Sequence, residues 1–297
     1  MRPAERGFLL LTSHLGDPDR KPLTAAQLRT LAERAAKAEK PELDRDLKLP
    51  ELMALGYGGD MAKRILALLE EEDRLDYYLD KGRKAGCVPI TRVSEGYPLF
   101  LRRRLGLDSP GCLWARGDVS LLTEPAVALV GSRELLDENR HFAKKVGREA
   151  ARQGYVLVSG NARGADRTAQ ESCLAAGGKV ISVVADELCR QSLRENMLYL
   201  SEDGFDEPFS AQRALSRNRV IHTLGLKTFV VQTSVRMGGT WDGTVKNLQK
   251  GWSDVYCFRD GSEGMALLEQ MGAEQIRLED LQSFYDLPDL KPNFFDR

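Results

Sequence analysis

From Ala126 onward, short apolar runs alternate with longer stretches of helical spacing, and this alternation constrains the fold more than any other feature of the chain. The runs are VALVG (127–131), YVLVSG (155–160), KVISVVA (179–185), KTFVVQT (227–233) and VYCF (255–258). Residues 137–153, 165–176 and 241–251 lie between or beside them with apolar residues at helical intervals. Runs this short and this apolar are buried on both faces, and helical crossovers between them give parallel neighbours. The expectation is an α/β fold: a Rossmann-like, mostly parallel sheet with helices on both faces.

The preceding part reads differently. Residues 1–85 are expected to form a small helical domain, and 86–297 the α/β domain with a short C-terminal tail. Thr24 and Gln27 make a capping-box pattern ahead of a stripe of Leu28, Leu31 and Ala35. A second helix starts at Pro50, a favoured first position, and ends near Gly56. A third takes Asp60 as its N-cap, places Met61, Ile65, Leu66 and Leu69 on one face, and runs to about Lys84. The acidic run 70–73 reads as its solvated face. Cys87 to Ile90 reads as a short strand, and 95–98 and 108–111 as turns.

Composition narrows the chemistry. The formal net charge of the 297 residues is −1, so any nucleic-acid site must be a local concentration of arginine and lysine. The five cysteines, Cys87, Cys112, Cys173, Cys189 and Cys257, are odd in number and form no C-x-x-C pair, which suits reduced thiols. His14, His141 and His222 are far apart in sequence, so no metal site is expected. The apolar run 8–11 is too short for a signal peptide or a membrane span and reads as part of a buried helix. A cytoplasmic location with no membrane contact follows as the expectation.

Ligands of open α/β sheets bind beyond the carboxyl ends of the strands. The first run ends in Gly131-Ser132-Arg133, and the second in Ser159-Gly160-Asn161-Ala162-Arg163-Gly164, followed by Asp166 and Arg167. The fourth leads to Met237-Gly238-Gly239-Thr240, and Arg217-Asn218-Arg219 lies between the third and fourth. Small residues let a backbone approach a ligand, helix starts offer unpaired N–H groups, and arginine supplies a planar fork for phosphate oxygens. Together these loops make a polyanion site. The plainer alternative pairs Arg217 and Arg219 with Glu202, Asp203 or Asp206. Asp166 suits capping or pairing better than general-base work.

No G-x-G-x-x-G follows the first run, and neither a P-loop nor a G-x-S-x-G elbow occurs. Ser132 and Ser159 lack an evident histidine base. No catalytic residue and no cofactor are expected.

The ordered set VALVGSR, VLVSGNARGADRTAQ, SRNRVI and GGTWDGTVKNL, with EGYPLFLRRRLGLDSPGCLWARGD upstream, resembles the DNA-processing protein A (DprA/Smf) family over roughly 95–260. The resemblance implies a domain that binds single-stranded DNA in a basic pocket, hands it to a RecA-type recombinase, forms a homodimer and turns over no substrate. It places Ser132, Arg133, Ser159, Gly160, Arg163, Gly164, Asp166, Arg217, Asn218, Arg219, Gly239 and Thr240 in that pocket, and Arg167 lies beside them. Trp241 and Phe209 are positioned to stack on bases, or to pack in the core. The chain departs from the family pattern at Asn161, Ala165, Gln170 and the Cys257-to-Gly261 stretch, and too few residues follow Gly261 for the winged-helix domain some members carry. A second architecture-sharing group, the phosphoribohydrolases, has P-G-G-x-G-T-x-x-E. Here Met237 replaces its proline and Asn247 its catalytic glutamate, leaving a nucleotide-binding sensor as the alternative function.

Overall fold

A computed structural model describes residues 1–37 and 47–290. The end of the expected C-terminal tail, 291–297, lies outside the described residues. The strands in chain order are β1 (Val88–Thr91), β2 (Cys112–Gly117), β3 (Ala126–Val130), β4 (Val156–Ser159), β5 (Lys179–Val183), β6 (Met197–Ser201), β7 (Lys227–Val230), β8 (Asp254–Phe258) and β9 (Glu274–Ile276). They form one sheet in the order β1-β2-β6-β5-β4-β3-β7-β8-β9. All pairs from β6 to β9 along that order are parallel, while β2 runs antiparallel to both β1 and β6. The Rossmann-like, mostly parallel sheet is the one the alternation predicts. β6 and β9 carry no run that the sequence marked as a strand, and β2 showed only as an apolar triplet.

Side chains alternate across the sheet because the strand repeat is two residues. Val127 and Leu129 face a core that includes Phe142, Val146, Ala169 and Cys173 of helices α7 (Asp137–Arg152) and α8 (Ala165–Ala175). Ala128 and Val130 face the opposite core, with Leu101, Ile221, Trp241 and Met265. These come from α6 (Leu99–Leu105), α10 (Asn218–Leu224), α11 (Gly238–Lys250) and α12 (Glu263–Gln270). α7 and α8 meet very closely, since a Cβ on Gly147 would stand 2.2 Å from the Ala169 carbonyl oxygen.

The first helices are α1 (Pro3–Thr12), α2 (Ala25–Ala36), α3 (Leu49–Ala54), α4 (Gly59–Leu69) and α5 (Glu72–Lys84). The Thr24/Gln27 capping box forms, with Thr24 Oγ1 accepting from the Gln27 amide at 3.2 Å. Of the stripe on α2, Leu31 is the residue that is fully buried, whereas Ala35 is exposed. The expected third helix is two helices, broken at Glu70–Glu71, and Gly58 rather than Asp60 is the N-cap of the first. Leu11, Leu31, Leu52, Ile65 and Leu68 form a core of their own. Leu9, Leu10, Leu75 and Tyr78 join the sheet's core instead. Buried Arg20 ties these helices together through the Leu10 and Leu68 carbonyls (2.6 and 3.3 Å) and Glu71 (3.1 Å).

Candidate functional site

The parallel strands bring their carboxyl ends to one edge, and the loops after β3, β4, β5 and β6 line an open cleft there of about 340 Å³. Its walls are Arg133, the turn from Gly160 to Arg163, Asp186, Phe209 and Arg217. Arg133, Arg163 and Phe209 stand exposed on its rim.

Hydrogen bonds inside the loops set their shape. The Ser132 amide and hydroxyl both donate to the Gln232 carbonyl (3.0 and 3.1 Å), tying the loop after β3 to the one after β7. The Ser132 carbonyl accepts from the Ala165 amide at the start of α8 (3.1 Å). Ser159 is buried, and its hydroxyl accepts from Gln170 Nε2 at 2.6 Å. A carboxamide donor is no general base, so this serine is a structural link.

The turn 160–164 is built on unusual backbone. Gly164 has φ +88°, and a Cβ there would meet the Ser132 and Arg133 carbonyl oxygens at 2.4 Å. Asn161 has φ +60°, a region asparagine enters far more readily than a branched apolar residue. Asp166 closes the turn by accepting from the Ala162 amide at 3.1 Å. Burial pushes its carboxyl above the usual range, against the pull of the Arg217 charge and the backbone amides. Arg167 is exposed, and its Nε donates to the Asn161 carbonyl at 3.2 Å.

The arginines divide into three roles. Among the described residues Arg163 reaches only Glu134, at 3.1 Å, and the two side chains are 74% and 88% exposed. Such a surface pair contributes little and exchanges readily for another anion. Arg217 is nearly buried; its Nη2 donates to the Gly160 carbonyl (2.9 Å) and Nη1 to Asn218 Oδ1 (3.2 Å), while Nε has no partner among the described residues. Arg219 is turned away from the cleft. Its two amines grip Glu202 at 3.0 and 2.6 Å, and Nη1 also donates to Ser216. The pairing left open as an alternative is formed for Arg219, and the guanidinium is committed to it.

Asn218 Nδ2 donates to the Gly239 carbonyl (2.9 Å), which joins the start of α10 to the first turn of α11, where Gly239 and Thr240 lie half-buried. Trp241 is buried in the core beneath the sheet edge, so it packs and does not stack on a base. Phe209, 60% exposed on the cleft rim, keeps the stacking role open. Asn247 sits wholly buried, donating to His222 Nδ1 (3.1 Å) and Ser253 Oγ (2.9 Å) and accepting from the Ser253 amide (2.9 Å). The position that carries a catalytic glutamate in the phosphoribohydrolases is therefore a core strut here. Asp186, at the end of the third run, also lines the cleft. Extending the strand-end rule to that run would have found it.

Among the described residues no cluster of histidine, cysteine and carboxylate is placed to hold a metal ion, and no helix is long and apolar enough to cross a membrane.

Comparison with known proteins adds to this geometry. The chain is 29% identical over 167 residues to DNA processing protein DprA of Bacillus subtilis (strain 168), covering 52% of this chain and 56% of that one. It thus spans little more than half the length of that relative. The fold is similar to the crystal structure of DprA from Streptococcus pneumoniae, with a TM-score of 0.75 at 23% identity, covering 97% of this chain and 99% of the other. A DprA structure from Helicobacter pylori gives 0.56 at 23% identity, covering 66% of this chain and 94% of that one. The profile of DNA recombination-mediator protein A matches residues 89–281, a stretch that holds the whole sheet and every loop of the cleft except β1's first residue. On that match, the chain belongs to the DNA recombination-mediator protein A family.

Proposed function

We propose that this protein binds single-stranded DNA in the cleft above β3, β4 and β5. It acts as a non-enzymatic accessory factor in DNA processing, handing the strand to a RecA-type recombinase and working as a homodimer in the cytoplasm. The observation that carries the reading is the rim: Arg133 and Arg163 stand exposed beside Phe209, with the Arg217 charge beneath them. Arginine forks and backbone amides suit phosphates, and an exposed ring suits an unpaired base of any identity. The Helicobacter pylori relative is described with a single-stranded DNA binding mode, which supports the same ligand class here. Ser132, Ser159, Gly164 and Asp166 hold the loops in this reading, and Arg133, Arg163, Arg217 and the Gly160 turn meet the strand.

The test is fluorescence anisotropy of a short oligo-dT at two salt concentrations, with wild type beside Arg163→Ala. The expected result is salt-sensitive binding that weakens by roughly 1–3 kcal/mol in the variant, the range for charge-assisted bonds. Binding unchanged in the variant rejects the role of Arg163. No binding at low salt rejects the DNA reading and turns the search to nucleotide ligands.

A further inference from the structure

Two more arginines stand at the same edge of the sheet, outside the cleft. Arg236 lies in the loop after β7 and Arg259 in the loop after β8. Both are exposed, and among the described residues neither guanidinium has a hydrogen-bond or ion-pair partner. The same holds for Arg133 after β3. Several other surface arginines are ion-paired, as in Arg6 with Glu72 and Asp76, Arg74 with Asp17, and Arg194 with Glu171, and exposed Arg102, Arg103 and Arg148, without such a partner among the described residues, lie on helices α6 and α7 and not in strand-end loops. What sets Arg133, Arg236 and Arg259 apart is their place: among the described residues these three guanidinium groups have no hydrogen-bond or ion-pair partner, and they follow three neighbouring strands, β3, β7 and β8.

Arg236 also holds backbone that glycine or asparagine would adopt with less strain. Its φ is +54°, in a turn closed by the bridge between Ser234 and Met237. The loop is anchored to the cleft, because the Gln232 carbonyl accepts from Ser132 and the Gln232 side chain accepts from the Leu136 amide (3.1 Å). Beside Arg259, Asp260 is turned to its own surroundings: its oxygens accept from Asn139 Nδ2 (2.8 Å) and the Ser262 amide (2.9 Å). Asp137 and Glu138 lie in the first turn of α7 and Glu263 in that of α12, so phosphates at this edge have to keep to the arginine-bearing loops.

We propose that a strand bound in the cleft continues along the carboxyl edge of the sheet over β7 and β8, with its phosphates on Arg236 and Arg259. Neighbouring strands lie ~4.8 Å apart, so the loops after β3, β7 and β8 are stepped closely enough for consecutive phosphates to follow. The inference rests on the cleft being the DNA site, and it adds a direction of travel and a length dependence.

The test uses the full chain with oligo-dT of about four and about sixteen nucleotides, lengths that bracket ordinary single-strand site sizes. The double variant Arg236→Gln/Arg259→Gln is compared with wild type at several salt concentrations. Wild type is expected to bind the long oligomer more tightly. The variant is expected to match wild type on the short one and to lose roughly tenfold on the long one. Its salt slope on the long oligomer should fall by about 1.4, at about 0.7 per phosphate contact. Equal affinity and slope on the long oligomer overturn the extended path, as does an equal loss at both lengths. A wild type that binds neither length overturns the cleft reading itself, a different result from loss of length dependence alone. Both side chains are exposed and unpaired, so an unchanged melting temperature identifies a folded variant.

Discussion

The guanidinium of Arg217 fills the place that a side chain at position 160 would need. A Cβ on Gly160 would lie 1.9 Å from Arg217 Nη1, while Nη2 donates to the Gly160 carbonyl. The glycine and the arginine form one unit: the bare backbone admits the cation, and the cation fixes the turn.

Gly160→Ala is therefore expected to displace the arginine. The overlap and the lost bond should cost about 1–3 kcal/mol of stability, as overpacking does. Affinity for single-stranded DNA should fall with it. Urea unfolding and anisotropy on the same preparation check both, and an alanine variant with wild-type affinity means that Arg217 moves without consequence.

Phe209 and Arg219 should behave oppositely. Phe209→Ala removes an exposed ring, so stability should stay within ~0.5 kcal/mol while DNA affinity drops by about 1–3 kcal/mol.

Arg219→Ala strands the Glu202 carboxylate in a poorly solvated place, where burial already pushes its carboxyl up. A stability loss of about 3 kcal/mol is expected, with little change in DNA affinity per folded molecule. A folded variant that loses affinity as Arg163→Ala does would put Arg219 back on the DNA.

His222 gives the protein a pH dependence of known sign. Burial, helped by the Arg217 charge, pushes its imidazole down to about 3. The unfolded chain takes up a proton near the ordinary value of ~6.5, which the folded chain refuses. Stability from this group is full above that value and is lost as pH falls through the window toward 3, at roughly 1.4 kcal/mol per pH unit. The raised carboxyls of Glu202 and Asp203 act in the opposite direction, since a folded acid that holds its proton gains from acidification. His222→Gln keeps an acceptor for Asn247 and removes the titration. Its urea midpoint should fall less steeply between about pH 6 and about pH 4 than that of wild type. Parallel slopes would show that the imidazole is protonated in the fold.

Strands β3, β4, β5, β7 and β8 were legible because each is a buried apolar run next to a helical segment. β6, with the sequence MLYLS, was not read as a strand, although all its residues are buried. MLYL is an apolar run as long as VYCF, but no α-helix separates it from β5, so the strand–helix alternation does not pick it out, and its pairing with β2 is long-range. β9 reads only EQI and exists through its pairing with β8. Arg217 and Arg219 are alike in sequence, two positions apart on one motif. What separates them is Glu202 at the end of β6, in a strand the sequence reading did not place. Trp241 and Phe209 parted for a similar reason. The first falls on the inward side of α11, and the second precedes a helix, α9 (Ala211–Ser216), with no buried residue.

The central strand has a consequence for how the chain comes off the ribosome. β3 takes β4 as one neighbour after a single helical crossover, but its other neighbour, β7, is synthesised only after β4, β5 and β6. During that interval the wing β3-β4-β5-β6 has an open flank made of AVALV, the kind of apolar edge that recruits a stray strand from another nascent chain. A stop or a stall before Lys227 leaves this flank permanently uncovered, so truncated chains should aggregate more than the full one. The late arrival of β7 is also the step that brings Arg236 to the carboxyl edge of the sheet.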